Sequence, residues 1–296
     1  MKIAVAFPTT EIGTDAGAIK EWTVGVEALG YNHVRVPEHV LGANPASRPD
    51  WKGLYDLHSM FHEPFTLMSF MAAITTKLGF VTSILILPQR QTVLVAKQAA
   101  EVDVLSQGRF RLGIGVGWNA LEYEALGVSF AERGAIFEEQ IGVLRELWTK
   151  DAVTLDLPYH KVTDAGICPA PLQRPIPLWF GGGIDPSQAK PASEKVMRRI
   201  ARLADGWMPA CLPDDTFVEQ FATFKGYCRD YGRDPDSIGL EVTMRAPRNS
   251  DAWIATAARW RELGTTYLGV NTMGDGLKGA DQHLRHLEEI RPALFI

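Results

Sequence analysis

The chain has 296 residues, 46% hydrophobic and 22% charged, an ordinary globular balance with enough apolar content for one large core. Its formal charge of -5 gives no electrostatic footprint for a nucleic acid or an anionic membrane surface, so neither is an expected partner. The apolar run Ile3 to Phe7 is too short for a signal segment or a membrane span, and Cys168, Cys211 and Cys228 have no CxxC spacing; a cytoplasmic chain with reduced thiols and no zinc site is expected.

Short β-branched runs alternate with stretches of helical periodicity along the whole chain. Strands are expected at Ile3 to Phe7, His33 to Val36, Leu78 to Leu87, Arg111 to Gly115, Leu178 to Gly181, Gly206 to Met208, Leu240 to Met244 and Tyr267 to Val270. Helices are expected over residues 16–30, 63–77, 92–105, 187–204, 214–231, 251–263 and 280–290. A further helix follows Ser129-Phe130-Ala131-Glu132, which has capping-box spacing and leads into Phe137, Ile141, Leu144 and Trp148 on one face.

Eight such units predict an α/β fold, a (β/α)8 TIM barrel in a single domain over residues 1–296, with insertion loops after strands 2 and 4. Closure removes both sheet edges and buries each strand on two faces. The insertions are residues 40–61, polar and aromatic, and residues 151–177, which hold Pro158, Pro169, Pro171, Pro175 and Pro177. Loops of that length in a compact domain are usually lids or coverings.

The fourth strand and its loop, Arg111 to Asn119, read RLGIGVGWN. A dinucleotide fingerprint counted from Gly113 requires glycine at 118, where Trp118 stands, and it belongs to a first strand rather than a fourth. Two uses remain for the glycines: close passage of neighbouring backbone, or approach of a ligand's flat face. The C-terminal strand ends of a barrel carry its chemistry. That rim gathers Glu38 and His39 after the second strand, Thr82 to Leu85 in the third and Gly115, Gly117, Trp118 and Asn119 after the fourth. Gly181, Gly182 and Gly183 follow the fifth, and Asn271 the eighth.

Glu38-His39 and the segments LSQGRFRLGIGVGWNALEYEALGVSFAERG, PLWFGGG and RLADGWMP, in this order and across nearly the whole chain, resemble the bacterial-luciferase-like superfamily of flavin- and deazaflavin-dependent oxidoreductases. The resemblance implies a TIM-type barrel that binds coenzyme F420 or FMN at its mouth and acts on a small-molecule substrate, with Glu38 and His39 near the reactive ring. It implies a third-strand bulge with a non-prolyl cis peptide around Ser83-Ile84, behind the ring. Ser83, Ile84, Gly115, Gly117, Trp118, Asn119, Gly181, Gly182 and Gly183 are then the cofactor contacts. The wording GVGWNxxEYEALG resembles the F420-dependent branch, with an FMN-dependent monooxygenase as the alternative, and look-alikes are commonly homodimers. Some deazaflavin dehydrogenases of the superfamily carry a glutamate general acid after GxG in the fourth loop. Here Trp118 stands there, which puts sugar-phosphate dehydrogenation by that scheme in doubt. A non-catalytic flavin-binding protein on the same scaffold is the reading from another class.

His39 is the expected proton carrier, since imidazole titrates near neutrality. Glu38 either orients His39 or pairs with a base such as Arg35. His58 and His62, four apart and followed by Glu63, suit a metal only if they share a helical face and gain a third ligand; no HExxH order accompanies them and no metal is expected. Gly181 to Gly183, ahead of Asp185-Pro186-Ser187 and a helix, offer backbone N–H groups to a phosphate, although Asp185 is itself an anion. Lys190, Lys195, Arg198, Arg199 and Arg202 form either a landing site for a polyglutamate tail or a solvated face. Trp51, Tyr55 and Trp118 suit stacking or shielding of a ring; Trp207 suits that or the core.

Overall fold

A computed structural model describes residues 1–182 and 192–296. Its strands are β1 (Lys2–Ala6), β2 (His33–Val36), β3 (Gly79–Thr82), β4 (Leu85–Ile86), β5 (Phe110–Gly115), β6 (Val153–Asp156), β7 (Lys161–Ala165), β8 (Leu178–Gly181), β9 (Gly206–Met208), β10 (Gly239–Arg245) and β11 (Tyr267–Asn271). The helices are α1 (Ala16–Ala28), α2 (Pro64–Ala73), α3 (Thr92–Leu105), α4 (Ala120–Ala125), α5 (Arg133–Thr149), α6 (Glu194–Leu203), α7 (Asp215–Asp230), α8 (Ala252–Glu262) and α9 (Gly279–Leu294).

The main sheet runs β3-β2-β1-β11-β10-β9-β8-β5-β4, and a β3–β5 pairing closes it into a parallel barrel. Segments β3 and β4 are two halves of one barrel strand, parted at Ser83-Ile84, whose peptide bond is cis. The bulge expected from the resemblance therefore falls at those residues. The expected strand Leu78 to Leu87 is correspondingly shorter and broken, and its last residue begins a 3-10 turn, Leu87–Gln89.

Three other expectations change. Residues 151–177 are not bare loop, because β6 and β7 pair there as an antiparallel hairpin. The Ser129 capping box forms only in part: Ser129 Oγ accepts the Glu132 N–H at 3.4 Å, but α5 starts at Arg133 after a turn, and Glu132 occupies the cap position without a side-chain bond. The helix expected over 187–204 is described from Glu194, capped by the Ser193 side chain on the Val196 N–H; residues 187–191 lie outside the described residues.

Apolar packing lies mainly between sheet and helices, where Trp22, Trp148, Trp207 and Trp260 are fully buried. The barrel lumen is different. Val81, Trp179 and Met208 share it with a charged group in which Glu241 lies 2.9 Å from each of His33 Nε2, Arg35 Nε and Arg111 Nη1. Glu241 has no solvent exposure, so all three partners offset its desolvation. This plug closes the lower barrel and leaves the rim for chemistry. No helix among the described residues is long and apolar enough to cross a membrane.

Candidate active site

The residues after β2 turn over the rim and project His39 beneath the 40–61 loop. That loop is folded on itself: Ala43 pairs with Asp56 as an isolated bridge, Leu57 donates its N–H to the Ala43 carbonyl at 2.8 Å, and the Trp51 indole donates to the Tyr55 carbonyl at 3.0 Å. A cavity of about 190 Å³ lies under it, lined by His39, Tyr55, Asp56, Phe61, Trp118 and Asn119 among others. Around the His39 ring stand Phe61 at 4.8 Å, Tyr55 at 4.9 Å and Trp118 at 5.7 Å between centroids. Trp51 lies 5.9 Å beyond Trp118. Trp51, Tyr55 and Trp118 thus shield an imidazole, and burial pushes the Tyr55 phenol up, keeping it neutral.

The partner of His39 is Glu122, from the first turn of α4: Nδ1 lies 3.1 Å from Glu122 Oε1. The same oxygen accepts the backbone N–H groups of Val40 at 2.8 Å and Leu41 at 3.4 Å, and Gln89 donates to Oε2 at 3.4 Å. Burial alone would raise this carboxyl, but the hydrogen bonds from His39 and Val40, with the His39 charge and Gln89, hold it below the usual range. Sequence reasoning missed Glu122. Its one available signal was the acidic residue three positions after Asn119, the N-cap of α4, whose Oδ1 accepts the Leu121 N–H at 3.2 Å.

Of its two expected uses Glu38 takes the second, pairing with a basic residue, but that residue is Arg90 and not Arg35. Its Oε2 accepts the Ile86 N–H at 2.6 Å and its Oε1 accepts Arg90 Nε at 2.8 Å, while Arg35 belongs to Glu241 in the lumen. Burial pushes the Glu38 carboxyl up against the pull of Arg90. Glu38 therefore ties the end of β2 to the strand half that follows the bulge. Arg90, which also reaches Glu63 at 3.1 Å, is a second residue that sequence reasoning missed.

The rim glycines make room for neighbouring chain. A Cβ on Gly113 would meet the Thr82 carbonyl oxygen at 1.9 Å, so the third and fourth barrel strands touch there. One on Gly115 or Gly181 would meet Ile84 Cδ1, at 2.0 and 2.7 Å. The Ile84 side chain, turned out by the bulge, lies over both. Gly117 faces Ile86 in the same manner at 2.7 Å, with a φ of +64°, and Gly182 faces Val196 and Ile200 of α6. Ser83 is held by its N–H to the Val36 carbonyl at 2.7 Å. Gly183, with Asp185, Pro186, Ser187 and Lys190, lies outside the described residues.

The remaining candidates separate from the rim chemistry. His58 and His62 do not share a helix, because α2 begins at Pro64 with Glu63 as its cap; His62 instead packs against Phe7 and lies 3.3 Å from the Gly13 carbonyl oxygen. No group of metal-ligating side chains stands among the described residues. Arg198 pairs with Glu194 and Asp230, and Arg199 and Arg202 both pair with Glu138, so much of that positive run is neutralised locally. Trp207 is in the core, tilted against Phe224 at 4.8 Å between centroids, with its indole N–H on the Gly182 carbonyl. Asn271 accepts the Met273 N–H at 2.8 Å and orders the end of β11.

Comparison with known proteins adds the family. An uncharacterized protein of Mycobacterium tuberculosis is 28% identical over 253 residues, 81% of this chain and 82% of that one. The pyrimidine monooxygenase RutA of Allorhizobium ampelinum is 32% identical over 156 residues, which is 51% of this chain and 39% of that one. Among solved structures, an F420-dependent secondary alcohol dehydrogenase in complex with an F420-acetone adduct superposes with a TM-score of 0.75 at 18% identity, covering 99% of this chain and 98% of that one. Monooxygenase RslO1 from Streptomyces bottropensis gives the same TM-score and identity over 100% and 99%. At such identities the likeness shows a shared fold. The luciferase-like monooxygenase description matches residues 1–286, and the chain belongs to that family.

Proposed function

We propose that this chain is an oxidoreductase that holds coenzyme F420 at the barrel mouth and transfers hydride to or from a small organic substrate. One observation carries the reading: an apolar platform and a proton-carrying group meet at the same rim, Ile84 over Gly115 and Gly181, and His39 after β2. A planar ring needs a flat backing free of competing polar groups, and its reacting edge needs a group that can take or give a proton. The residues present fit such a group. Ser83, Gly117, Trp118, Asn119 and Gly182 belong to the same strand ends and form the rest of the proposed surroundings, with Gly183 beside them in sequence. Bound there, the cofactor supplies two-electron chemistry. The chain's own share is to back the ring with Ile84, hold the proton at His39 and keep water out with the 40–61 loop. The reading takes residues 1–296 as one cytoplasmic domain that works as a homodimer.

A second reading, an FMN-dependent monooxygenase, is favoured by the monooxygenase names of RutA and RslO1. Titration of the purified protein with each cofactor, followed by difference spectroscopy, separates the two. F420 binding with substrate-dependent bleaching is the expected result. FMN binding with substrate-dependent oxygen uptake, and no response to F420, overturns it.

A further inference from the structure

We infer that Glu122 is the positioning residue of the site: it fixes His39 in the tautomer that carries its proton on Nδ1 and leaves Nε2 as the working nitrogen. The inference rests on the proposed role of His39 at the rim, and it adds a residue in a different element with a defined task. Two conditions support it. An ionised carboxylate can only accept hydrogen bonds. Glu122 is 1% exposed, and every group around it is a donor or becomes one: the Val40 and Leu41 N–H groups, the Gln89 amide and His39. A carboxyl in that setting has no reason to hold a proton, so the proton of the shared contact sits on His39 Nδ1.

The second condition is the free end of the ring. Among the described residues no hydrogen bond engages His39 Nε2, while His39 lines the rim cavity. Neutral imidazole has one donor and one acceptor nitrogen; with Nδ1 committed to Glu122, Nε2 is the acceptor and takes a proton from a donor group in the cavity. The imidazolium so formed stays 3.1 Å from an anion and is stabilised by it. In the reverse direction the same Nε2 returns the proton. Phe61, Tyr55 and Trp118 fix the ring plane without offering Nδ1 an alternative partner.

The other ionisable groups near His39 do not compete for this task. Glu38 is occupied by Arg90 and the Ile86 N–H, and Arg90 also takes Glu63. Asp56, across the cavity, accepts the His58 N–H at 2.9 Å and the Ser59 hydroxyl at 3.3 Å. Tyr55 stays neutral through burial. The only carboxylate in contact with the ring among the described residues is Glu122.

Nitrogen-15 and proton NMR of the imidazole in the cofactor-free, full-length protein tests the inference without any turnover. Wild-type His39 is expected to be protonated at Nδ1 when neutral. In Glu122→Gln, whose amide oxygen still accepts the Val40 N–H but is a weaker acceptor than a carboxylate, the His39 Nδ1 proton resonance should move upfield, as expected when a charge-assisted hydrogen bond becomes a neutral one. A merely structural Glu122 would leave that resonance where it is. An Nε2-protonated neutral ring in the wild type overturns the inference by itself, so the outcome does not depend on the variant folding; an unmoved Nδ1 proton resonance in folded Glu122→Gln overturns it as well. Failure to bind F420 or FMN would remove the proposed function and leave these NMR results standing, so the two failures are distinguishable.

Discussion

The lumen and the rim use the same residue types to opposite ends. In the lumen, Glu241 is saturated by His33, Arg35 and Arg111, the Arg111 guanidinium lies 4.3 Å from the Trp179 ring centroid and 4.0 Å from that of Tyr267, and Glu241 has no solvent exposure. At the rim, Glu38 takes Arg90 and Glu122 takes His39, but the cluster stops short of closure, with His39 bordering a cavity. A sealed charge group whose members all gather on one anion is a structural plug, although His33 Nδ1 there has no hydrogen-bond partner. One that leaves a single titratable nitrogen facing open space has something to do.

Breaking each group should therefore be felt in different measurements. The largest effect is expected from Glu241→Ala, which strands Arg35 and Arg111 without their shared anion and should cost about 3–5 kcal/mol in denaturant unfolding. A rim substitution of the same residue type, Glu122→Gln, keeps an acceptor in place and should cost about 1 kcal/mol. Equal losses would erase the distinction between the two clusters. Next, His39→Ala should lower turnover with the productive cofactor by about 10²- to 10⁴-fold while leaving cofactor affinity unchanged. Unaltered turnover would instead favour the non-catalytic flavin-binding reading.

Acid sharpens the same contrast through the lumen. Burial pushes the His33 imidazole down to about 4 from 6.5, with Glu241 partly opposing, so His33 contributes stability that is complete above 6.5 and is lost as pH falls through about 4. Glu241 resists its own burial because His33, Arg111 and Arg35 hold it at about 2 against 4.5, so its contribution is lost only as pH falls from 4.5 towards 2. Unfolding free energy measured across pH should thus decline in two overlapping windows, and Glu241→Ala should remove the lower one. A smaller effect is expected at the platform. Gly115→Ala places a methyl 2.0 Å from Ile84 Cδ1, which should cost about 1–3 kcal/mol of stability and weaken cofactor binding. Adding Ile84→Ala should relieve the clash; if binding is unaffected by Gly115→Ala, the platform is not where the ring lies.

Much of the fold was legible because it is written locally. Strand and helix periodicities repeat over a few residues, and all eight barrel strands were recognisable from them, as was the failure of Gly113 to Trp118 to match a dinucleotide loop. The β6–β7 hairpin was hidden by the prolines and polar residues around it, and the Ser129 box matched its spacing without forming a helix start. At the site, His39 and the bulge at Ser83-Ile84 were recognised through resemblance rather than through periodicity.

The sequence by itself determined where strands and helices fall, that the strand ends would converge, and which imidazole stands among them. Only the tertiary structure decided the partners: His39 meets Glu122 across 83 positions, Glu38 meets Arg90 across 52, and Ile84 covers Gly115 and Gly181. The reason is physical. Periodicity reports which face of an element is buried, whereas a hydrogen bond between distant residues requires barrel closure to bring two rims within about 3 Å, and no local pattern encodes that distance.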